Sequence, residues 1–140
     1  MATEEVMSKL KMGDHSSTFG GGPVACAAAC ATIDVLKDER LPERAKTNGE
    51  YMLSKLEGLA EKYRIVRRAR GRGLMLGLEL RFDVLNIIMG SLERGVLFLD
   101  AGRNVVRMLP PLIIDRVEID RAITVLDEVL EVEENARLSG

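Results

Sequence analysis

The chain has 140 residues, of which 46% are hydrophobic and 30% charged, and its charges nearly cancel to a formal −2 at pH 7. This length suits one domain, and the composition is typical of a soluble globular protein. The near-neutral balance argues against a nucleic-acid or membrane partner. No signal peptide opens the sequence and no apolar run approaches the ~20 residues of a membrane helix, so we expect a cytoplasmic protein.

The two cysteines, Cys26 and Cys30, lie four residues apart in an apolar run. One helix would point both the same way, without the geometry of a CxxC redox pair. We therefore expect two small buried thiols, with a disulfide or a metal site as the alternative. The chain has a single histidine, His15, and no other soft ligand near it, so no zinc site is expected.

The N-terminal half of the sequence predicts helices. Residues 4–11 suit a short helix, and the glycine turn 20–22 followed by Pro23 suits the start of a second one. Residues 24–36 are apolar almost all the way round, so we expect this helix to be buried on several sides. From 47 to 63 the apolar residues fall on one helical face. They are Met52, Leu53, Leu56, Leu59, Ala60 and Tyr63.

The second half changes period. Leucines alternate from 74 to 80, which predicts a strand after the turn at 71–73. Helical spacing returns from Val84 to Leu92, and Gly95 stops that helix.

Two short strands are predicted at 96–99 and 105–109, around a hairpin at 100–102, and Pro110-Pro111 prevents further pairing. The last helix starts at the capping-box pair Asp115 and Glu118. Its inward residues are Ile119, Ala122, Ile123, Leu126 and Leu130, and the acidic tail from Glu131 to Gly140 is expected to fray. These elements predict an α+β fold with three or four strands and helices on one face.

The helix at 24–36 has more apolar surface than so small a fold needs. This surplus predicts that the chain is part of a larger protein. The run GDHSSTFGGGPVACAAACATIDVL resembles the GDHxSTFGGNPLA segment of class III, pyridoxal-phosphate-dependent aminotransferases. RARGRGLMLGLEL, LERGVL, NVVRMLPPLII and DRVEIDRAI continue the resemblance in family order over nearly the whole chain. The branch it most resembles is that of acetylornithine aminotransferases and their acetyl-lysine and carrier-linked lysine relatives. Ornithine and 4-aminobutyrate aminotransferases are near neighbours.

The resemblance implies two binding sites. In the family, the threonine of the STFGG block donates a hydrogen bond to the cofactor phosphate of the partner subunit; here it is Thr18, together with the Ser17 backbone. Hydroxyls and free N–H groups beside a helix start suit an anion, although such turns are often helix caps alone. The arginine of the R-x-x-P-P segment, here Arg107, binds a substrate carboxylate in the family. A guanidinium can do so through two parallel hydrogen bonds, and a solvent-exposed arginine at a strand end is the alternative.

Two positions depart from the family pattern. Ser16 replaces a glycine, which would strain the loop by ~1–2 kcal/mol if that position takes a positive φ. Gly22 replaces an asparagine, which removes a side-chain cap but leaves a tolerated cap residue.

By the same resemblance, the fold is the small C-terminal domain of a fold-type I pyridoxal-phosphate-dependent transferase, preceded by a long buried linking helix. Residues 1–22 would end the large domain, 23–46 form the linking helix, and 47–140 the small domain. The expected protein is a homo-oligomer, most simply a dimer, that uses pyridoxal 5'-phosphate. It would transfer an amino group between an N-acetylated or carrier-linked ornithine or lysine and 2-oxoglutarate.

The reactive centre of the family has no match in this sequence. In the family, the imine-forming lysine lies a few tens of residues before the GDH block. Lys9 and Lys11 lie too close to that block to correspond to it. The other four lysines, Lys37, Lys46, Lys55 and Lys62, sit on amphipathic helices or their ends. The aromatic that stacks on the cofactor ring and the aspartate that pairs with its nitrogen are also missing. We therefore expect no catalytic residue in these 140 residues, a missing large domain, and no transamination by the chain alone.

Two other functions stay open from the sequence. One is a free-standing amino-acid-binding or regulatory module derived from this domain, and the other is an interaction domain that pairs through its apolar helix. A third possibility comes from Arg67, Arg68, Arg70 and Arg72, which suggest nucleic acid. No aromatics interleave with them and acidic helices surround them, so a solvated basic turn is favoured.

Overall fold

A computed structural model describes residues 2–11, 13–14 and 17–138. The chain divides into two compact units, Met1–Glu39 and Arg40–Gly140. No helix in the described part of the chain combines the length and apolar character that a bilayer crossing requires.

The first unit contains the helices α1 (Glu4–Met7) and α2 (Pro23–Asp38). Gly22 occupies the N-cap of α2 without a side-chain cap, and Pro23 begins the helix as predicted. The predicted burial of this helix is wrong within this chain, because none of its residues is buried. Both Cys26 and Cys30 are exposed as well, which corrects the expectation of buried thiols. The other helix among the described residues of this unit has only four residues, too few to cover α2.

Residues 23–46, predicted as one linking helix, contain the whole of α2 and the start of a second helix. Arg40 follows α2 in the left-handed conformation, with φ 50° and ψ 42°, and α3 (Leu41–Lys62) begins after it. A proline at position 42 is tolerated in the first turn of α3, whereas inside a continuous helix it would remove a backbone hydrogen bond. The predicted assignment of 1–22, 23–46 and 47–140 to parts of a larger fold stays a prediction.

The second unit contains a four-stranded antiparallel sheet. Its strands are β1 (Val66–Arg72), β2 (Met75–Leu80), β3 (Leu99–Asp100) and β4 (Val105–Met108), and the remaining helices are α4 (Leu85–Glu93) and α5 (Arg116–Leu138). The strand order is β1-β2-β4-β3. The β1–β2 hairpin turns at Gly73, which has φ 54°. The predicted β3–β4 hairpin is present, but β3 has only two residues instead of the predicted strand at 96–99.

The core lies between one face of this sheet and the helices α3, α4 and α5. Leu78 of β2 is directly opposite Val106 of β4, and both are fully buried. Leu56 of α3, Ile87 of α4 and Leu126 of α5 pack in the same cluster. The predicted α+β class with helices on one face is confirmed. The opposite face of the sheet, called here the outer face, carries the polar residues discussed below.

The C-terminal helix is longer than predicted. Its capping box is confirmed, because the Glu118 N–H donates to Asp115 Oδ1 and the Asp115 N–H to Glu118 Oε2, each at 3.0 Å. The expected fraying from residue 131 is wrong, since α5 continues to Leu138. Glu134 explains part of this extension, as its Oε1 accepts the backbone N–H of Arg64 at 2.6 Å.

Polar side chains join α3 to α5 near the C-terminal end of α3. Tyr63, which is 4% exposed, donates to Asp127 Oδ1 at 2.6 Å, and Lys62 Nζ pairs with the same oxygen at 2.7 Å. Burial acts to raise the pKa of Asp127, but the hydrogen bonds from Lys62 and Tyr63 outweigh it and hold that pKa below its usual range. The same hydrogen bond to Asp127 raises the pKa of Lys62. Lys62, Tyr63 and Asp127 therefore form a cluster with an ionised carboxylate that links α3 to α5, called here the ionised tie.

The middle of α3 approaches the β1–β2 hairpin very closely at Gly49. A Cβ atom at that position would overlap the backbone carbonyl of Gly73. Gly58, further along the same helix, has open space where its Cβ would lie. The packing of α3 on the hairpin therefore requires a glycine at 49 and makes no such demand at 58.

Candidate functional site

The turn before α2 has the features of an anion site at a helix N-terminus. Ser17 Oγ accepts the Gly20 N–H at 3.1 Å, and Gly21 has φ 76°, so the turn is tight. Thr18 is exposed, and its hydroxyl has no hydrogen-bond partner within the described residues. The N–H groups of the first turn of α2 have no intrahelical acceptor, and the helix dipole favours negative charge there.

The two predicted residues of this turn, Ser17 and Thr18, differ in the hydrogen bonding of their side chains. The Ser17 side chain holds the turn, whereas the Thr18 hydroxyl is open to an external acceptor. His15 and Ser16 lie outside the described residues, and so does the strain expected at Ser16. The available donors, one hydroxyl and backbone N–H groups at a helix start, match the oxygens of a phosphate group.

Arg107 lies on β4, where the sequence predicted a strand, and its side chain is on the outer face. It is opposite Gly77 of β2 and Leu99 of β3. Within the described part of the chain its guanidinium has neither a hydrogen bond nor an ion pair, and it is exposed. Such a group has all of its donors available for a carboxylate.

Arg107 also lines an apolar groove of about 410 Å³ at the β3 edge of the sheet. The groove runs round the sheet edge to the helix side, and Arg107 is the one charged residue among the described residues lining it. Its walls are residues 96–99, 107–111 and 114, together with Met52 of α3 and Ala122 of α5. The groove was not predicted, since it depends on how the loop after β4 packs.

Two residues of α3 hold that loop in place. Asn48 Nδ2 donates to the Ile114 carbonyl at 2.8 Å, and Arg44 donates to the carbonyl of Ile113. Asn48 is only 9% exposed. It precedes Met52 by one helical turn, so it faces the core, where a polar group needs a partner. That position on the apolar face is the signal by which the sequence could have shown it.

The arginines at 67–72 do not form the solvated turn that was predicted. They belong to β1, an edge strand paired with β2. Arg67 and Arg68 contact Glu79 of β2 at 3.0 and 2.8 Å. Hydrogen bonds from Arg68 and then Arg67 lower the pKa of Glu79. The carboxylate on the neighbouring strand is what allows so basic a segment to pair.

The six lysines of the chain are all exposed. The hydrogen bond from Lys62 to Asp127 raises the pKa of Lys62. A lysine that attacks a carbonyl needs the opposite shift, because only the uncharged amine is nucleophilic.

The fold and these residues define a class of protein. The profile of the family described as aminotransferase class-III matches residues 1–130. The chain therefore belongs to the class III aminotransferases, as the GDHSSTFGGGPVA segment indicated.

Individual relatives carry names within that class. The acetylornithine aminotransferase of Methanocaldococcus jannaschii is 43% identical over 126 residues, which are 90% of this chain and 32% of that protein. The enzyme of the same name from Methanothermobacter thermautotrophicus is 45% identical over 130 residues, 93% of this chain and 33% of that protein. The solved ornithine delta-aminotransferase of Plasmodium falciparum superposes with a TM-score of 0.87 at 29% identity, over 97% of this chain and 36% of that one. The chain spans about a third of the length of these relatives.

Proposed function

We propose that this chain is the C-terminal part of an aminotransferase that moves an amino group between an N-acetylated or carrier-linked ornithine or lysine and 2-oxoglutarate. The observation that carries the proposal is Arg107, an unpaired guanidinium among the described residues at the edge of an apolar groove. Family membership and the acetylornithine relatives support the substrate class. We further propose that the protein works as a dimer in the cytoplasm, a reducing compartment in which Cys26 and Cys30 stay free thiols.

Arg107 would bind the carboxylate that both amino donor and 2-oxoglutarate carry. The antiparallel pairing of β4 with both neighbours fixes its backbone, and the two prolines restrict the chain that follows. A bidentate pair needs that rigidity, because a misplaced guanidinium loses both hydrogen bonds together.

Thr18 and the backbone of the Ser17–Gly22 turn would hold the phosphate of pyridoxal 5'-phosphate, in the dimer that of the partner subunit. When bound, that cofactor supplies an electron-accepting ring for chemistry at the substrate's amino-bearing carbon. The described turn offers an open hydroxyl and the free N–H groups of a helix start, which fit the phosphate. We propose that the chain has no residue that performs the amino transfer itself, because its six lysines are exposed and the hydrogen bond to Asp127 raises the pKa of Lys62.

Arg107→Lys tests the proposal at its central residue. In the dimeric enzyme, we expect kcat/KM to fall for both the amino donor and 2-oxoglutarate, because lysine cannot make the bidentate pair. The fall should correspond to a loss of roughly 2–4 kcal/mol of transition-state stabilisation. The matched control is Arg103→Lys, a 92% exposed side chain on the β3–β4 hairpin, which should leave both half-reactions unchanged. If Arg107→Lys lowers only the melting temperature, Arg107 is structural and the assignment is wrong.

Thr18→Ala tests the phosphate contact separately. Loss of one charge-assisted hydrogen bond should weaken cofactor retention by roughly ten- to a hundred-fold and change substrate affinity less. Ser8→Ala is the control, since its hydroxyl is bonded to the Glu5 carbonyl in the same unit. Equal cofactor retention in both variants would mean that Thr18 only forms part of the turn before α2.

A protein that binds carboxylates through Arg107 but supports no amino transfer would instead be an amino-acid-binding module.

A further inference from the structure

The groove beside Arg107 has a buried floor and an exposed rim, and both are apolar. Phe98 and Met108 on the floor are almost fully buried. The rim, called here the leucine rim, consists of Leu97, Leu99 and Leu109, each more than half exposed. Exposed apolar side chains grouped around one depression mark a binding site more often than scattered ones do.

The guanidinium of Arg107 and the apolar walls belong to the same depression. Arg107 is directly opposite Leu99, so both side chains are on the outer face. Phe98, the residue before Leu99, belongs to the core cluster on the helix side. The groove therefore joins the guanidinium on the outer face to Met52 and Ala122 on the helix side.

Hydrogen bonds hold one wall of the groove in place. The Ile114 N–H donates to the Pro111 carbonyl at 3.0 Å, which closes the turn in the loop after β4. Asn48 of α3 donates to the Ile114 carbonyl at 2.8 Å. Both Pro111 and Ile114 line the groove. A ligand that enters a preformed groove avoids the cost of ordering its walls.

The charges of the lining restrict the chemistry of a ligand. Among the described residues that line the groove, Arg107 is the charged one, and no carboxylate accompanies it. A carboxylate at Arg107 would be paired, whereas a charge at the other end of the ligand would lie against apolar walls without a partner. The groove therefore favours a molecule with one carboxylate and an uncharged chain.

We propose that the groove binds a monocarboxylate with an uncharged alkyl chain, the carboxylate on Arg107 and the chain between the leucine rim and the floor. The volume of about 410 Å³ is within the range of small-molecule sites. This inference rests on the proposed role of Arg107 and adds a site for the chain. Because such an acid and 2-oxoglutarate both need Arg107, each excludes the other, and the acid acts as an inhibitor.

Acetate, hexanoate and 6-aminohexanoate test the site on the 140-residue protein. Acetate has the carboxylate alone, hexanoate adds an uncharged chain, and 6-aminohexanoate ends that chain in an ammonium group. One buried methylene is worth up to about fourfold in affinity, so hexanoate should bind at least about tenfold tighter than acetate. The ammonium end should remove that advantage, and 2-oxoglutarate should displace hexanoate.

NMR of methyl-labelled methionines reports where the chain lies. Hexanoate should shift the methyl resonances of Met52 and Met108, which line the groove, and acetate should not. Met75 and Met89, which are exposed elsewhere in the second unit, should not respond to either acid. Equal shifts at all four methionines would show unspecific apolar association and overturn the site.

Substitutions separate the chain from the carboxylate. Ala122→Leu fills the α5 side of the groove, and Leu99→Ser makes the exposed rim polar. Each should remove most of the advantage of hexanoate and leave acetate affinity unchanged. Ala136→Leu, at an exposed position of α5, is the matched control and should change neither acid. If Ala122→Leu shifts amide resonances beyond the groove, Leu99→Ser decides the test, because its side chain is not part of the core.

Arg107→Gln distinguishes this inference from the proposed function. It should weaken both acetate and hexanoate. If it does so but hexanoate binds no tighter than acetate in the unmodified protein, Arg107 keeps its proposed role and the chain site is overturned. If it affects neither acid, both proposals fail.

Discussion

The two compact units of the chain use apolar residues in different ways. Every buried hydrophobic residue in the described part of the chain lies between Leu41 and Leu130, in the second unit. In the first unit α2 is at least as apolar, yet Val24 is 85% exposed and Ile33 48%. The helix α3 presents one apolar face to a sheet, whereas α2 is apolar all round and has no facing layer in its own unit. Apolar composition becomes a core only where a second element covers it.

The largest expected effect comes from truncating the same kind of residue in each unit. Leu78→Ala should lower the free energy of unfolding by about 2–5 kcal/mol, because Leu78 is fully buried and leaves a cavity. Val24→Ala, its counterpart on α2, should change that free energy by less than about 0.5 kcal/mol. Urea unfolding followed by circular dichroism measures both. Similar losses would mean that α2 is covered in solution, and the contrast between the units would disappear.

Two glycine-to-alanine substitutions in α3 of the second unit should have smaller effects on stability. Gly49→Ala should destabilise the protein by about 1–3 kcal/mol, because the added methyl would overlap the Gly73 carbonyl. Gly58→Ala meets open space and should stabilise it by about 0.5–1 kcal/mol through helix propensity. Thermal unfolding of the two variants should therefore shift in opposite directions. Shifts of the same sign would show that the contact between α3 and the hairpin is looser than described.

The smallest predicted effect concerns the ionised tie between α3 and α5. The pKa of Asp127 is lowered, so its contribution to stability is present above the unfolded value of about 4 and is lost as pH falls through the folded value. Asp127→Asn should cost about 1 kcal/mol or less at pH 7, since the carboxylate is partly exposed. The difference from the unmodified protein should shrink below about pH 3. A difference that stays constant with pH would show that the tie is not ionic.

Local signals in the sequence predicted local structure well. The capping box at Asp115 and Glu118 and the stop of α4 at Gly95 depend on a few neighbouring residues, and both are present. The strand holding Arg107 was predicted for the same reason, from a short apolar run ended by prolines. Its role in binding stays a prediction.

What the sequence did not show depends on residues far apart in the chain. The strand β1 has no apolar alternation, and its pairing is favoured by Glu79 on the neighbouring strand. The helical tail beyond residue 131 is held in part by Glu134 against the backbone of Arg64. The groove beside Arg107 exists only once the β3–β4 hairpin and the loop after it are packed against α3 and α5. No local pattern carries that information.

The contacts that join α3 and the residues just after it to α5 and the loop before it have a consequence for the order in which the second unit can fold. The bonds from Asn48 to Ile114, from Tyr63 to Asp127 and from Arg64 to Glu134 span 66, 64 and 70 residues of sequence. Closing such long loops is entropically expensive and slow, whereas the β1–β2 hairpin closes over a few residues. On the ribosome, the hairpin can form early, but the core lacks one wall until the residues up to Leu130 have emerged. Until then Leu78 and Val106 face water, so the nascent chain exposes apolar surface that the finished fold buries completely.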